Sequence, residues 1–123
     1  MNREELKKRT KRFALQIIGF VEKIPKTYAG RVIENQILRS GVSVGANYRA
    51  VCKAKSRKDF INKLNIVAEE ADETQYWLEL LAESGMIKHE NTAYLYNEAR
   101  EITAMATASI RTARQNGVKK YNL

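Results

Sequence analysis

The sequence predicts an all-α protein, an up-down-up-down four-helix bundle formed by a single domain of residues 1–123. Apolar residues recur at intervals of three and four and never steadily at two. The chain of 123 residues contains only one proline and six glycines to interrupt helices. Hydrophobic residues make up 44% and charged residues 29%, which allows both a core and a polar surface. We expect helices over about 2–24, 29–54, 57–84 and 90–115.

The first two predicted helices are separated by Pro25, which cannot continue a helix because it lacks an amide hydrogen. The apolar positions of the first are Leu6, Phe13, Ile17, Phe20 and Ile24. Those of the second are Ile33, Ile37, Val44, Tyr48 and Val51. The segment from Gly41 to Gly45 contains small residues inside the second helix, and we expect it to let a neighbouring helix approach closely.

The third helix is predicted to begin after Ser56, because Ser56 and Asp59 form an S-x-x-D start signal. Its apolar residues alternate at intervals of four and three: Phe60, Leu64, Val67, Ala71, Thr74, Leu78 and Leu81. A break around Gly85 precedes the fourth helix, whose smaller core residues are Leu95, Ala99, Ile102, Ala106, Ser109 and Ala113. The sustained period predicts nearly parallel helix axes. The pair Asn116–Gly117 is expected to end the fourth helix and leave a loose tail.

Further apolar side chains lie outside this predicted core stripe. They are Leu15, Ile18 and Val21 in the first helix and Ile61, Ile66, Tyr76, Trp77 and Leu80 in the third. One interpretation is a wide apolar face of the kind common in globular helices. The other is a second buried face formed by self-association. Because a four-helix bundle has one interior, the sequence favours an oligomer.

The residues that enzymes use for catalysis do not converge in this sequence. The single histidine, His89, has no partner at metal-ligand spacing, and Cys52 has no neighbouring histidine to act as a base. The glycines of the second helix lack the lysine of a phosphate-binding loop. A run of acids could hold a divalent metal, but a helix spreads them around its surface: Glu69, Glu70, Asp72 and Glu73. We therefore predict no catalytic site, metal, cofactor or small-molecule substrate.

The chain is expected to be cytoplasmic and not bound to a membrane. A single cysteine is typical of a reducing compartment. The basic N-terminal segment is not followed by the apolar run of a signal peptide. No segment approaches the roughly 18 apolar residues of a membrane span.

Charge is in surplus and unevenly distributed. There are 22 Lys and Arg against 14 Asp and Glu, a formal net charge of +8, which favours a polyanionic partner although it also suits simple solubility. One basic cluster comprises Arg49, Lys53, Lys55, Arg57, Lys58 and Lys63, and an acidic stretch follows from Glu69 to Glu83. The other cluster comprises Arg3, Lys7, Lys8, Arg9, Lys11 and Arg12. We expect the two clusters at opposite ends of the bundle. Bases in the first turn of the third helix oppose its dipole, so stability does not explain them.

The stretch from Gln36 to Leu81 resembles the family of small four-helix-bundle proteins encoded in the intervening sequences of bacterial 23S rRNA genes, also called S23 proteins. The resemblance is carried by Gln36, Leu38-Arg39-Ser40, Ser43-Val44, Asn47, Ser56, Asp59-Phe60, Glu70-Ala71, Glu73-Thr74 and Tyr76-Trp77-Leu78. It implies a homopentameric ring and a fold similar to the accessory protein of diversity-generating retroelements, a basic pentamer that binds nucleic acid and a reverse transcriptase. It also implies nucleic-acid contacts by Arg39, Arg49, Lys53, Arg57 and Lys58. Family members often carry an acid a few places after the Asn, where this chain has Ala50, so no role of that carboxylate transfers.

Two hypotheses follow for the function. The preferred one is a non-catalytic, oligomeric nucleic-acid-binding protein, for structured RNA related to rRNA, that uses Lys and Arg contacts to phosphates. The alternative is a protein-interaction scaffold in which basic and acidic patches meet in a closed homo-oligomeric ring. The predicted nucleic-acid-binding residues are Arg39, Arg49, Lys53, Lys55, Arg57, Lys58 and Lys63.

Overall fold

The structure, a computed structural model, describes residues 2–121 of the chain, with the side chains of residues 2–116. Its four helices are α1 (Arg3–Val21), α2 (Tyr28–Val51), α3 (Arg57–Glu83) and α4 (His89–Tyr121), and no strand occurs within this range. Each helix packs along its neighbour in sequence, whereas α1 and α4 approach each other over a much shorter stretch. The predicted all-α, up-down-up-down four-helix bundle is confirmed.

The helix ends follow local chemistry. Asn2, Thr27 and Ser56 each accept, through a side-chain oxygen, a hydrogen bond from the backbone amide three residues ahead. These bonds satisfy amides that have no partner inside the helix. The predicted start signal at Ser56 is therefore confirmed. After α3, Gly85 has a positive φ of 82°, a conformation that side chains with a Cβ rarely adopt.

The core contains most of the side chains that the periodicity predicted. Phe13, Ile17, Ile37 and Ala71 have no exposed surface. Val21, expected on a second apolar face, is only 5% exposed and belongs to the core. Phe60 is partly buried.

The predicted pattern slips in the last turns of α4. Ile110 is buried, while Ser109 and Ala113 are only partly so. A straight helix turns every 3.6 residues, so a stripe extrapolated at 3.5 drifts away from the core.

Small residues bring α1 and α2 unusually close together. A Cβ on Gly41 would lie 2.8 Å from Cγ1 of Ile17, and one on Gly45 would lie 3.1 Å from the carbonyl oxygen of Thr10. Both distances are shorter than ordinary carbon contacts of about 3.5–4.0 Å. The close approach expected of the Gly41–Gly45 segment is thus confirmed, and its partner is α1.

Arg9 ties α1 to α4 where the helices otherwise touch little. Its Nε and Nη2 each donate to a carboxylate oxygen of Glu98 at 2.7 Å, and Nη2 also donates to Glu101 at 3.1 Å. The side chains of Arg9 and Glu98 are only 17% and 13% exposed. The bond to Glu98 raises the pKa of Arg9 above its usual range. Although Arg9 belongs to the basic cluster of α1, its guanidinium stabilises the fold by joining α1 to α4.

The structure differs from expectation at the end of α4, which continues past Asn116–Gly117 to Tyr121. A glycine inside a helix costs about 1 kcal/mol relative to alanine, which weakens a helix without ending it. The final two residues of the tail lie outside the described part of the chain.

The close approach predicts opposite consequences for two glycine substitutions. Ala at Gly19 meets nothing within 4 Å, so the gain in helix propensity should raise the free energy of unfolding by up to about 1 kcal/mol. Ala at Gly41 gains the same propensity but presses on fully buried Ile17. Its free energy of unfolding should fall about 1–3 kcal/mol below that of the Gly19 variant, the usual cost of overpacking. Denaturant unfolding measures both, and equal values would contradict the packing described.

Candidate nucleic-acid interface

The two basic clusters lie at one end of the bundle. Each helix reverses the direction of the one before it, so α1 and α3 begin, and α2 ends, at the same end. The guanidinium carbon of Arg3 lies 5.7 Å from the ring centroid of Phe60, which joins the starts of α1 and α3 directly. The expectation of basic surface at opposite ends is therefore wrong. We call this end the basic end: Arg3, Lys7, Lys8, Lys11, Arg49, Lys53, Lys55, Arg57 and Lys58.

A groove between α1 and α2 forms one side of the basic end. It is a shallow cleft of about 460 Å³. Its floor contains Ala14, Gly45 and Ala46, small residues that leave room because the two helices pack so closely. Its walls carry four cations and one acid, Glu4, whose carboxylate lies 3.9 Å from Lys7 Nζ. The cations are Lys7, Lys8, Lys11 and Arg49. Long cationic side chains around a floor of small residues can hold a phosphate backbone without a steric barrier.

Two further clefts extend the groove around the end of the bundle. The first adjoins it through Lys7 and Arg49 and adds Arg3 and Lys53. The second shares Arg3 and crosses to the start of α3, where Lys55, Arg57 and Phe60 line it. Because neighbouring clefts share residues, the cationic surface is continuous from α1 over α2 to α3.

Few carboxylates oppose this charge. Of the 14 acidic residues, Glu4, Glu5 and Asp59 lie in the turns that form the basic end. The Asp59 carboxylate accepts hydrogen bonds from Lys63 Nζ at 2.9 Å and from the Lys55 amide at 3.1 Å. Both hydrogen bonds lower the pKa of Asp59, and the one from Lys63 has the larger effect. Asp59 therefore stays ionised and is largely neutralised by Lys63, so the basic end keeps its positive charge.

Five of the seven predicted residues come together here, and two do not. Lys63 lies further along α3 and bonds to Asp59. Arg39 lies ten residues before Arg49, about 15 Å along α2. Its guanidinium donates to Glu73 and, at 3.2 Å, to Glu70, so it joins α2 to α3. The five that share the basic end are Arg49, Lys53, Lys55, Arg57 and Lys58.

The binding residues predicted from the sequence do not include the cations of α1 that line the same clefts. They are Arg3, Lys7, Lys8 and Lys11. The signal that could have found them is the alternation of helix direction in an up-down bundle, which places every odd-numbered helix start beside every even-numbered helix end.

The other residues considered for chemistry lie apart from one another. His89 is the exposed first residue of α4, in a shallow cleft of about 410 Å³ beside Glu79 and Tyr96. Cys52 is half-buried at the basic end. Among the described residues, no three His, Cys, Asp or Glu side chains are placed to share a metal ion.

Several large apolar side chains remain exposed on the helices. Leu15 is 60% and Ile18 48% exposed on α1, and Ile66 is 40% and Tyr76 53% exposed on α3. Ile61, Trp77 and Leu80, which the sequence grouped with them, are partly buried against the core. Large apolar side chains are therefore exposed on α1 and on α3, and they are fewer than the sequence suggested.

Comparison with known proteins assigns the chain to a family. Residues 3–108 match the pattern of the 23S rRNA-intervening sequence protein family. The chain belongs to this family. The family description refers to the intervening sequence of 23S rRNA and names no enzymatic activity. No curated protein matches the chain.

One solved structure of a related protein has the same fold. It is a protein of unknown function from the S23 ribosomal protein family of Bacteroides thetaiotaomicron, 41% identical to this chain. The alignment covers 85% of this chain and 96% of that one, with a TM-score of 0.78. The fold of this related protein thus agrees with the four-helix bundle of this chain and with its family membership. In the described part of this family member, no helix has the length and apolar character needed to cross a membrane.

The Arg39 pair predicts a measurable titration. Partial burial raises the pKa of Glu73, but hydrogen bonds from Trp77 and Arg39 outweigh it and hold that pKa below the usual 4.5. Trp77, the only tryptophan, donates its Nε1 to Glu73 at 2.9 Å. Its fluorescence should therefore change with a midpoint below pH 4.5, and Arg39→Gln should move that midpoint up.

The Glu73 interaction stabilises the native state above its unfolded pKa, and this stabilisation is lost as pH falls through the lower folded pKa. The Glu73→Gln variant should lack the transition and serves as the control. Circular dichroism shows whether the bundle stays folded over this range. An unchanged midpoint in the Arg39 variant would contradict the pairing.

Proposed function

We propose that this family member is a non-catalytic RNA-binding protein that holds the phosphate backbone of a structured RNA, related to rRNA, at the basic end. The observation that carries the proposal is the convergence of cations from α1, α2 and the start of α3 on one continuous surface with few carboxylates. Phosphate oxygens are the groups that Lys and Arg side chains bind without regard to base sequence. The family description supports a role connected with rRNA.

The basic end has the chemistry of a backbone binder. Lys8, Lys11, Arg49 and Lys53 are exposed, so each keeps its hydration until a phosphate replaces water. Their charge does not stabilise the bundle, since exposed charges contribute little to folding. By contrast, Arg9 and Arg39 already have carboxylate partners. Of the cations that line the groove between α1 and α2, Lys7 lies 3.9 Å from a carboxylate oxygen of Glu4, whereas Lys8, Lys11 and Arg49 make no ion pair with a described side chain.

The proposal predicts that four cations of the groove and of the cleft beside it control the salt dependence of RNA binding. A variant with Lys7, Lys11, Arg49 and Lys53 changed to Gln should bind RNA more weakly. The slope of log affinity against log salt should become shallower by about 0.7 to 0.9 per lost contact. Its free energy of unfolding should stay within about 0.5 kcal/mol of the original. Titrating a labelled RNA hairpin at several salt concentrations measures the slope.

A matched variant removes the same charge elsewhere. It carries Gln at four exposed positions outside the basic end: Lys23, Arg31, Lys88 and Arg100. Its slope should equal that of the original protein, because a contact is lost only where a phosphate lies. Equal slopes in all three proteins would refute the basic end as the interface.

We also infer that the protein works as a homo-oligomer. The family resemblance implies that this oligomer has five subunits. Exposed Leu15 and Ile18 lie beside each other on α1, separated by three positions. The charges are also segregated, with six acids on α3 from Glu69 to Glu83. A head-to-tail contact that sets a basic surface against an acidic one closes a ring without a two-fold axis. If that ring is the whole function, the protein is a scaffold rather than an RNA binder.

Sedimentation of the protein at micromolar concentration should give the mass of several chains, and Leu15→Lys with Ile18→Lys should reduce it to one. Lys at exposed Ala108 serves as the control for an added charge and should leave the mass unchanged. The four-Gln groove variant separates the two functions. Lost RNA affinity with an intact assembly supports RNA binding, and a dissociated assembly supports the scaffold. A single-chain mass for the original protein would contradict both oligomeric hypotheses.

A further inference from the structure

We propose that the cleft at the start of α3 is a binding site for one unpaired RNA base, which stacks on Phe60 beneath Arg3. This inference rests on the proposed function and adds a substrate class to it. The basic end would then prefer RNA with a bulged or single-stranded nucleotide over a fully paired helix. Phosphate contacts alone provide no such preference.

The cleft is built from all four helices. Its volume is about 460 Å³, within the range of roughly 300–1,000 Å³ for ligand pockets. Val51, Ala54 and Ala113 form apolar parts of its lining, and Phe60 is the one aromatic residue among the residues that line it. Phe60 differs from the core rings of Phe13 and Phe20, which are 0% and 7% exposed, because it is only partly buried.

The Arg3 guanidinium and the Phe60 ring are two flat groups. Their separation is close to the separation that would hold one base stacked between them. The guanidinium carbon lies 5.7 Å from the ring centroid. A base between the two would need roughly 7 Å, twice the contact distance of about 3.5 Å. Arg3 is exposed and makes no ion pair with a side chain of the described residues, so a movement of about 1 Å opens the gap. Aromatic rings and guanidinium planes are the groups on which unpaired bases stack.

The rim of the cleft supplies the polar contacts that a nucleotide needs. Lys55 is exposed beside the ring and can bind the nucleotide's phosphate. The exposed Asn116 offers both a donor and an acceptor for the edge of a base. The Asp59 carboxylate lies at the N-terminal turn of α3 and accepts a hydrogen bond from the Lys55 amide. The phosphate would therefore bind to cationic side chains and not to the backbone amides of the helix end.

The ring lies in a cleft, and this position explains the preference for unpaired RNA. A base inside a duplex is stacked on both faces by its neighbours, so it cannot reach Phe60 without leaving the helix. A bulged or terminal base can enter the cleft while the flanking phosphates lie on Lys53 and Lys55. The groove and the cleft are then two parts of one interface.

The test compares two RNA hairpins that differ by one bulged 2-aminopurine, a base whose fluorescence is quenched when it stacks. The protein should bind the bulged hairpin more tightly and quench it. Phe60→Leu keeps an apolar side chain but removes the ring, and it should weaken binding of the bulged hairpin roughly ten-fold, abolish quenching and leave the paired hairpin unaffected. Phe60→Tyr should keep the preference.

Two further variants keep the result unambiguous. Arg3→Gln changes an exposed side chain, so it removes the second stacking surface without disturbing the core and should reduce quenching. Lys58→Gln removes a charge outside the cleft lining and should weaken both hairpins alike. Thermal melting of each variant shows whether the fold is intact.

Each outcome has a distinct meaning. Equal binding of the two hairpins without quenching overturns the base site alone, as does a Phe60→Leu variant that is folded and behaves like the original. Failure to bind either hairpin overturns the proposed function together with this inference.

Discussion

The close approach of α1 and α2 is the constraint on which the rest of the structure depends. With glycine at 41 and 45, Ile17 and the Thr10 carbonyl reach the backbone of α2. The outer surface between the helices is consequently a groove with a floor of small residues instead of a ridge of large side chains. The same approach brings the cations of α1 beside Arg49 and Lys53 on α2. Packing inside the bundle therefore shapes the surface outside it.

The arginines of this protein occupy two kinds of environment. Arg9 and Arg39 bind carboxylates on neighbouring helices and thereby join α1 to α4 and α2 to α3. Arg9 is largely shielded from solvent, so its loss would leave Glu98 unpaired in a poorly hydrated position, a costly change. Arg3 and Arg49 sit on the exposed basic end, where charge contributes little to folding. The arginines that stabilise the fold are thus different from those at the proposed RNA interface.

An interface that combines phosphate contacts with one stacking position suits RNA that is folded but not fully paired. The groove would provide most of the affinity, because each displaced counterion adds to binding. The cleft around Phe60 would provide discrimination between paired and unpaired nucleotides. A ring of such subunits would repeat both elements around its circumference, and linked sites bind a long ligand far more tightly than one site alone. In such a ring, the exposed acids of α3 that do not bind Arg39, namely Glu69, Asp72 and Glu83, would be the ones to contact a neighbouring subunit.

The helices themselves were predictable because they depend on local order: apolar residues three and four apart, a capping Ser56 and a single Pro25. The family resemblance and the close packing at Gly41 and Gly45 could be read from the same residues. The site could be predicted only in part. Arg49, Lys53 and Lys58 were found because they are close in sequence.

Arg3, Lys7 and Lys11 were assigned to the wrong end of the bundle, and Arg39 was included although it binds Glu70 and Glu73. These errors share a physical cause. Which charges meet across helices depends on the direction of each helix, its axial register and its rotation. The spacing of apolar residues along the sequence carries no information about these three quantities. The sequence by itself therefore determined that this chain folds into four amphipathic helices with a surplus of positive charge. Only tertiary packing decided which cations form a common surface and which are neutralised, because that choice depends on distances of a few ångströms between residues far apart in the chain.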